Sequence, residues 1–396
     1  MNISTLTDVN LNSDVLDETI YNKVKKATSI IFFLNGFIIA SWVPHIPYVK
    51  DKLGLSASQL GVALLCVSLG ALFSMQISGW LVSRIGTNLI AKLSAFLSCL
   101  IIVGTILSPN YLSLILSLIC LGIVIGSLDI AMNTDGVQAE LGLKKSIMSF
   151  LHAMFSIGAL VGASIAVMST WLGLSPSIHI MAVCCLGIVM TLMYVSQRPS
   201  QWVGAKEMEK KFSLPDRSIL LVAFMTFIVL SLEGVITDWS GVYLTQSHNV
   251  AISQSGIAYL VFAITMAAGR LLGDKLVDSF GRRSILFYGS VTAILGMAMV
   301  LSGPTLVLVC MGFAMIGIGL SNITPILFSV AGSSTETSPG MAVAAVTSFG
   351  YFGFLVSPPI VGFITDWKSI DHAFALYGSL ILLILFRSKH VTENVV

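Results

Sequence analysis

The chain is expected to be an all-α membrane protein, with twelve transmembrane helices in two related six-helix bundles. Three observations predict this class. Of 396 residues, 56% are hydrophobic and 10% are charged, against roughly a quarter charged in soluble domains. The apolar residues gather in twelve runs, each of a length that crosses the roughly 30 Å hydrocarbon core of a bilayer as a helix. Residues 58–86 and 253–281 align without a gap at an offset of 195 positions. They share Ser58/Ser253, Gln59/Gln254, Gly61/Gly256, Ala63/Ala258, Leu65/Leu260, Leu81/Leu276, Val82/Val277 and Gly86/Gly281. A repeat of that span, set in two apolar halves, marks a duplicated bundle, the ground plan of many secondary transporters.

In the first half the spans are expected at 28–49 (α1), 58–83 (α2), 88–108 (α3), 111–139 (α4), 146–171 (α5) and 177–197 (α6). The second half gives 218–246 (α7), 255–278 (α8), 284–303 (α9), 305–332 (α10), 340–366 (α11) and 371–388 (α12). The tails are residues 1–27 and 389–396, and the bundles cover 28–197 and 218–388. Between them lies one long polar break, 198–217, with Lys206, Glu207, Glu209, Lys210 and Lys211, the natural linker. The offset recurs elsewhere. Gly158-Ala159-Leu160-Val161 in α5 matches Gly353-Phe354-Leu355-Val356 in α11, and Asn35-Gly36 through Trp42 resembles Glu233-Gly234 through Trp239 with one residue of slippage.

Lys and Arg set the orientation, because they accumulate on the cytoplasmic side. Lys23, Lys25, Lys26, Arg84, Lys92, Lys144, Lys145, the linker, Arg282, Arg283, Arg387 and Lys389 fall on one side; Lys50, Lys52 and Lys368 fall on the other. Both termini are therefore expected in the cytoplasm of an inner-membrane protein. Trp171 and Trp367 sit at matching ends of α5 and α11, as an interfacial aromatic belt requires. The first 26 residues are polar and mixed in charge, so no secretory signal peptide is expected.

Composition excludes several functions. A net charge of +2, spread among loops, offers nucleic acid no basic patch. Cys66, Cys99, Cys120, Cys184, Cys185 and Cys310 all lie in apolar runs without metal-ligand spacing. No phosphate-cradling Gly-Lys loop or nucleophile motif occurs, so neither an enzyme, a cofactor nor a metal is expected. Without a nucleotide-binding domain, the energy source would be a gradient. The partners are then a small-molecule substrate, protons and the bilayer, with the protein a monomer.

Charged side chains at mid-membrane cost about 2.5–3.5 kcal/mol or more, so each needs a partner or a wet cavity. Asp129 lies on an α4 stripe with Gly122, Gly126, Asn133, Gly136 and Glu140, spaced three and four apart. The glycines alone would suit a packing seam; an acid at that depth would not. Asn133 either bonds across helices or contacts substrate. Glu233 is the second deep acid, on an α7 face with Thr237 and Ser240. Asp238, about 140° away, either anchors a neighbouring helix or acts with the charge pair. Arg270 in α8 can meet Asp274 at i+4 or reach across to Glu233. His152 in α5 is either a bonded core histidine or a proton relay. In α1, Asn35, Trp42 and His45 share one side, and Trp42 is either a stacking surface or a belt residue. Asn322 in α10, within Gly317-Ile318-Gly319-Leu320-Ser321-Asn322, resembles the α4 segment with amide for acid. Tyr351 in α11 joins Asn35, Trp42, Asn133 and Asn322 as a candidate substrate contact.

Asp278-Ser279-Phe280-Gly281-Arg282-Arg283 resembles the loop motif of the major facilitator superfamily, Asp-Arg-x-Gly-Arg-Arg, and the first-half copy runs from Gly79 through Ser83-Arg84 to Gly86. In helix 4, Gly126-Ser127-Leu128-Asp129-Ile130-Ala131-Met132-Asn133 is similar to the acidic motif of the fucose permease branch, where the acid is associated with proton coupling. Leu151-His152-Ala153-Met154-Phe155-Ser156-Ile157-Gly158 and Asp238-Trp239 resemble a little-characterised bacterial group near that branch. The fucose permease's second acid in helix 1 has no counterpart in Ala40-Ser41-Trp42-Val43-Pro44-His45, and the Gly-Pro-x-x-Gly-Gly motif of drug exporters is absent from α5. The resemblance implies the major facilitator fold, a cavity lined by α1, α4, α7 and α10, and a cytoplasmic latch of Gly79, Arg84, Gly86, Asp278, Gly281, Arg282 and Arg283. Asn35, Asp129, Glu233 and Asn322 lie on those four helices.

The expected function is secondary active transport of a small polar solute, sugar-like or another small metabolite, by proton symport. Asp129 and Glu233, with His152, would couple protons, and Arg270, Asp274 and Asp238 would gate. An exporter of an amphiphilic compound, using the same acids for antiport, is the alternative; a non-transporting sensor would need a soluble extension.

Overall fold

The computed structural model describes residues 4–143, 147–195, 217–332 and 339–393. Among these, twelve helices are long and apolar enough to cross a membrane, and no strand occurs. The linker expected at 198–217 lies outside the described residues apart from Arg217, and so does the side chain of Asp274.

The helices run α1 Ser4–Trp42, α2 Ala57–Ile85, α3 Thr87–Leu107, α4 Tyr111–Leu143, α5 Met148–Trp171 and α6 Pro176–Met190. After the linker come α7 Arg217–Ser247, α8 (257–280), α9 (282–302), α10 as Leu306–Leu320 and Ile323–Gly332, α11 Pro339–Trp367 and α12 Ile370–Glu393. Local chemistry sets the breaks. Pro44 and Pro47 cannot donate backbone hydrogen bonds, and α1 passes through a tight turn, Val43–His45, into a short helix, Ile46–Lys52. Ser175 caps α6, its hydroxyl accepting from the Ile178 N–H ahead of Pro176. Thr305 caps α10 in the same way through Leu308.

The duplication is also written in the backbone. Gly86 turns the chain from α2 to α3 at φ 80°, and Gly281 turns it from α8 to α9 at φ 77°. Such dihedrals disfavour a side chain. The turns before α2 and α8 repeat the pattern with Gly54 at φ 61° and Asn249 at φ 52°, asparagine being the residue that best tolerates glycine's left-handed region. Both pairs lie 195 positions apart. The expected loop between α8 and α9 shrinks to the single residue Gly281, because helical hydrogen bonding persists through the polar residues on either side.

The chain forms two compact units, one of 1–42, 69–165 and 175–208, the other of 43–68, 166–174 and 209–396. In the first unit, α1 and α5 touch backbone to backbone: a Cβ on Gly158 would overlap the Phe33 carbonyl, and one on Gly36 that of Phe155. The second unit repeats this contact between α7 and α11, where a Cβ on Gly353 would stand 2.6 Å from the Phe227 carbonyl oxygen. Small residues serve this purpose in membrane interiors, where close packing substitutes for the hydrophobic effect.

Candidate functional site

In the first unit the site is built on α4. Asp129 and Asn133 are both half-buried. The Asn133 amide donates to the Asp129 backbone carbonyl at 2.9 Å and to its carboxylate Oδ1 at 3.2 Å. That contact is the one polar partner of the Asp129 carboxylate among the described residues. The stripe expected on α4 divides in two. Gly126 packs on Ala71 and Ser74 of α2 and Gly136 on Leu151 and Met148 of α5, so the glycines form seams between which the two polar side chains remain accessible. Glu140 leaves the stripe altogether: its carboxylate accepts from the Ile147 and Met148 N–H groups at 2.7 and 3.0 Å, capping α5.

Around this centre, Asn35 is 3% exposed, its amide nitrogen 3.9 Å from the Met132 sulfur and its Oδ1 without a partner. His152 is exposed and meets Phe32 edge to face at 5.2 Å. The belt reading of Trp42 does not hold, because its ring is buried in the protein. Among the described residues Trp80, Trp171 and Trp367 are exposed, at 51%, 60% and 77%, and the last two stand at the helix ends where a belt needs them. Sequence reasoning passed over Asp135, which is wholly buried and accepts from the Thr87 hydroxyl at 2.5 Å, fastening α4 to the start of α3. Its signal was available, as an acid inside an apolar run.

In the second unit the structure brings Glu233 and Arg270 together. Arg270 Nη2 stands 3.2 Å from both Glu233 oxygens, with the arginine side chain 38% and the glutamate side chain 18% exposed. The Thr237 hydroxyl donates to the Glu233 backbone carbonyl at 2.8 Å. Asp238 is half-buried, and the buried Tyr259 ring of α8 lies within electrostatic reach of both acids. Tyr351 is half exposed, with its ring centroid 6.5 Å from that of Phe354. Asn322 differs from its expected role. It sits between the two pieces of α10, 7% exposed, its amide donating to the Gly269 carbonyl and the Ser321 hydroxyl, both at 3.0 Å. Its hydrogens are thus consumed in strapping α10 to α8.

At the loop motif, Arg84 stacks over Trp80 at 4.4 Å, and Asp278 and Arg283 are exposed beside the Gly281 turn. A further polar contact lay beyond sequence reasoning. The Asp366 carboxylate, at the end of α11, accepts from the Ala57 and Ser58 N–H groups at 3.0 and 2.8 Å, capping α2 from 309 and 308 positions away. The Ser58 hydroxyl lies 3.5 Å from the Gly362 carbonyl, and Gly61 and Gly362 bring the two backbones together. The duplicate junction joins α5 to the segment before α8, the Thr170 hydroxyl donating to the Ser253 carbonyl at 2.8 Å. Pro44 and Pro47 pack against Gly256 and Gly241 in the same unit.

Comparison with known proteins fits this geometry. The family model for the Major Facilitator Superfamily matches residues 28–335 and again 219–394. An uncharacterised MFS-type transporter of Yersinia pestis is 33% identical over 93% of this chain and 95% of its own length. The membrane protein MosC of Rhizobium meliloti is 30% identical over 88% of this chain and 85% of its own. Among solved structures, a D-xylose-proton symporter superposes with a TM-score of 0.73 at 14% identity, covering 95% of this chain and 98% of that one. Twelve apolar helices, a duplication recorded in matching backbone turns, and matches over nearly the whole length place this multi-pass membrane protein in the Major Facilitator Superfamily of secondary transporters.

Proposed function

We propose that the protein is a proton-coupled symporter of a small polar solute, working by alternating access as a monomer in the inner membrane. The observation that carries this reading is Asp129, a half-buried carboxylate within an apolar helix whose one polar partner among the described residues is an amide on its own helix. An acid so placed is stable at depth when protonated or when water reaches it. A proton that arrives and leaves with the cavity's two openings would use both states. Glu233 is the second coupling acid, and His152 is a proton relay on α5. Asn133 and Tyr351 contact the solute, whereas Asn35, Asn322 and Trp42 shape the walls from buried positions. Asp238 and Arg270 gate, and Gly79, Arg84, Gly86, Asp278, Gly281, Arg282 and Arg283 form the cytoplasmic latch. The likeness of residues 126–133 to the fucose permease motif supports proton coupling, as does the fold shared with the xylose-proton symporter.

Proteoliposomes test it. With an inward proton gradient the protein should accumulate its solute above the outside concentration, and a protonophore should reduce uptake to equilibration. Accumulation that ignores the protonophore and follows another ion overturns the coupling.

The six-helix bundles 28–197 and 218–388 are proposed to meet at a cytoplasmic linker, with both termini inside. In a cysteine-free background, Thr5→Cys, Ala205→Cys and Glu393→Cys should each resist an impermeant maleimide in intact cells and react after permeabilisation. Labelling of any one from outside refutes the topology.

A further inference from the structure

The Glu233–Arg270 pair is incomplete on the arginine's side. Both glutamate oxygens converge on a single guanidinium nitrogen, Nη2, at 3.2 Å. A saturated arginine–carboxylate pair uses two nitrogens in parallel, so this arrangement leaves the three N–H bonds of Nε and Nη1 with no partner among the described residues. Arginine has no neutral form to retreat to. Position makes the vacancy costly: Arg270 lies 13 residues into α8 and 11 before the Gly281 turn, hence about 20 Å and about 16 Å from the helix ends. That is well inside the helix and within its apolar span, where lipid would exact several kcal/mol from an exposed guanidinium. The apolar exposure of this turn is carried by Leu271 and Leu272 at 78% and 53%, whereas Arg270 turns toward α7 and its acid. The guanidinium is also more open than its partner, 38% against 18%. The donors without a partner among the described residues therefore belong to the more open half of the pair.

Taken with the transporter reading above, on which it rests, this geometry leads us to infer that Arg270 is the anion-recognition group of the substrate site. The substrate class is a small organic oxyanion, carrying a carboxylate, sulfonate or phosphate monoester. The oxyanion takes the Nε and Nη1 donors while Glu233 holds Nη2. Glu233 has two roles here: it neutralises the empty site, and it competes with the substrate for the same cation. A static structural pair would have no such competition.

The competition gives the test its sign. Purified full-length protein is titrated, by thermal shift and calorimetry, with two- to six-carbon carboxylates, sulfonates and phosphate monoesters. Each is paired with its neutral alcohol counterpart, for example 3-hydroxypropionate with propane-1,3-diol. At least one anion should stabilise the wild type while its neutral counterpart does not. Arg270→Gln should weaken that anion about tenfold or more, the loss expected for charge-assisted hydrogen bonds, and Arg270→Lys should recover part of it. Glu233→Gln should tighten the same anion several-fold. Equal shifts from neutral counterparts, or anion binding that survives Arg270→Gln, overturn the inference while leaving the transporter reading intact. A panel silent in both the wild type and Glu233→Gln overturns it as well. Failure of every stabilising compound to cross proteoliposomes would count against the transporter reading itself.

Discussion

Asp129→Asn should abolish uphill accumulation in proteoliposomes, bringing the internal-to-external ratio from well above one to about one, while exchange of solute down its gradient stays within a few-fold. The asparagine has the shape and hydrogen bonds of the protonated acid. The Asn133 amide that now stands 3.2 Å from Oδ1 meets a carbonyl oxygen instead, so the helix should fold unchanged. What disappears is the charged state. On the proposed mechanism that state opposes the transition through the closed cavity by about 2.5–3.5 kcal/mol, a hundredfold in population, and proton binding removes the obstacle. Asparagine removes it permanently, so the carrier cycles without counting protons. If Asp129→Asn still concentrates solute while Glu233→Gln does not, the principal coupling acid is Glu233. If both variants still concentrate it, neither carboxylate couples transport.

Gly362→Val should be at least as damaging, by another route. A Cβ at residue 362 would overlap the Ala57 carbonyl, and neither backbone can yield, so the junction of α2 with α11 could not form. Transport should fall to the background of empty liposomes, and spin labels at residues 59 and 363 should report the pair held apart. Asp366→Ala should act in the same direction and more weakly. It removes the two bonds that cap α2 at 3.0 and 2.8 Å, a loss of about 1 kcal/mol, as for other helix caps, or roughly fivefold in the junction's population. Wild-type transport in Gly362→Val with the spin labels held apart would show that the junction has no part in the cycle.

The fold was legible because lipid is a demanding solvent. Apolar run length fixes where a helix can cross, and the repeat at 195 positions doubles every inference. Gly86 and Gly281 could be matched by identity; Gly54 and Asn249 correspond through backbone conformation, which residue names conceal. The deep charged groups were legible too, since each costs enough to require a reason. What the sequence hid was partnership. Arg270 had two acids within range, and only coordinates show Glu233 bonded to it. Glu140 shares the α4 stripe yet caps α5, and Asn322 resembles Asp129 in context yet is spent on the Gly269 carbonyl. Asp366 serves donors 309 and 308 positions away, a distance no local pattern encodes.

Within α11 the consecutive residues Pro358 and Pro359 lie inside an otherwise continuous helix. Neither ring supplies an N–H to the carbonyl four residues earlier, so Phe354 and Leu355 begin a stretch that has lost two adjacent rungs of its ladder. The Pro358 carbonyl is also where Gly61 of α2 comes closest, a Cβ there standing 2.5 Å from it. A rod weakened at the point where a neighbour presses on it behaves as a lever with a built-in fulcrum. The short arm beyond the prolines carries Gly362, Asp366 and Trp367, the contacts that grip α2 and the ring that rides in the interface. Bending at the prolines breaks fewer hydrogen bonds than bending elsewhere along the helix. The body of α11 is packed against α7 at Gly353.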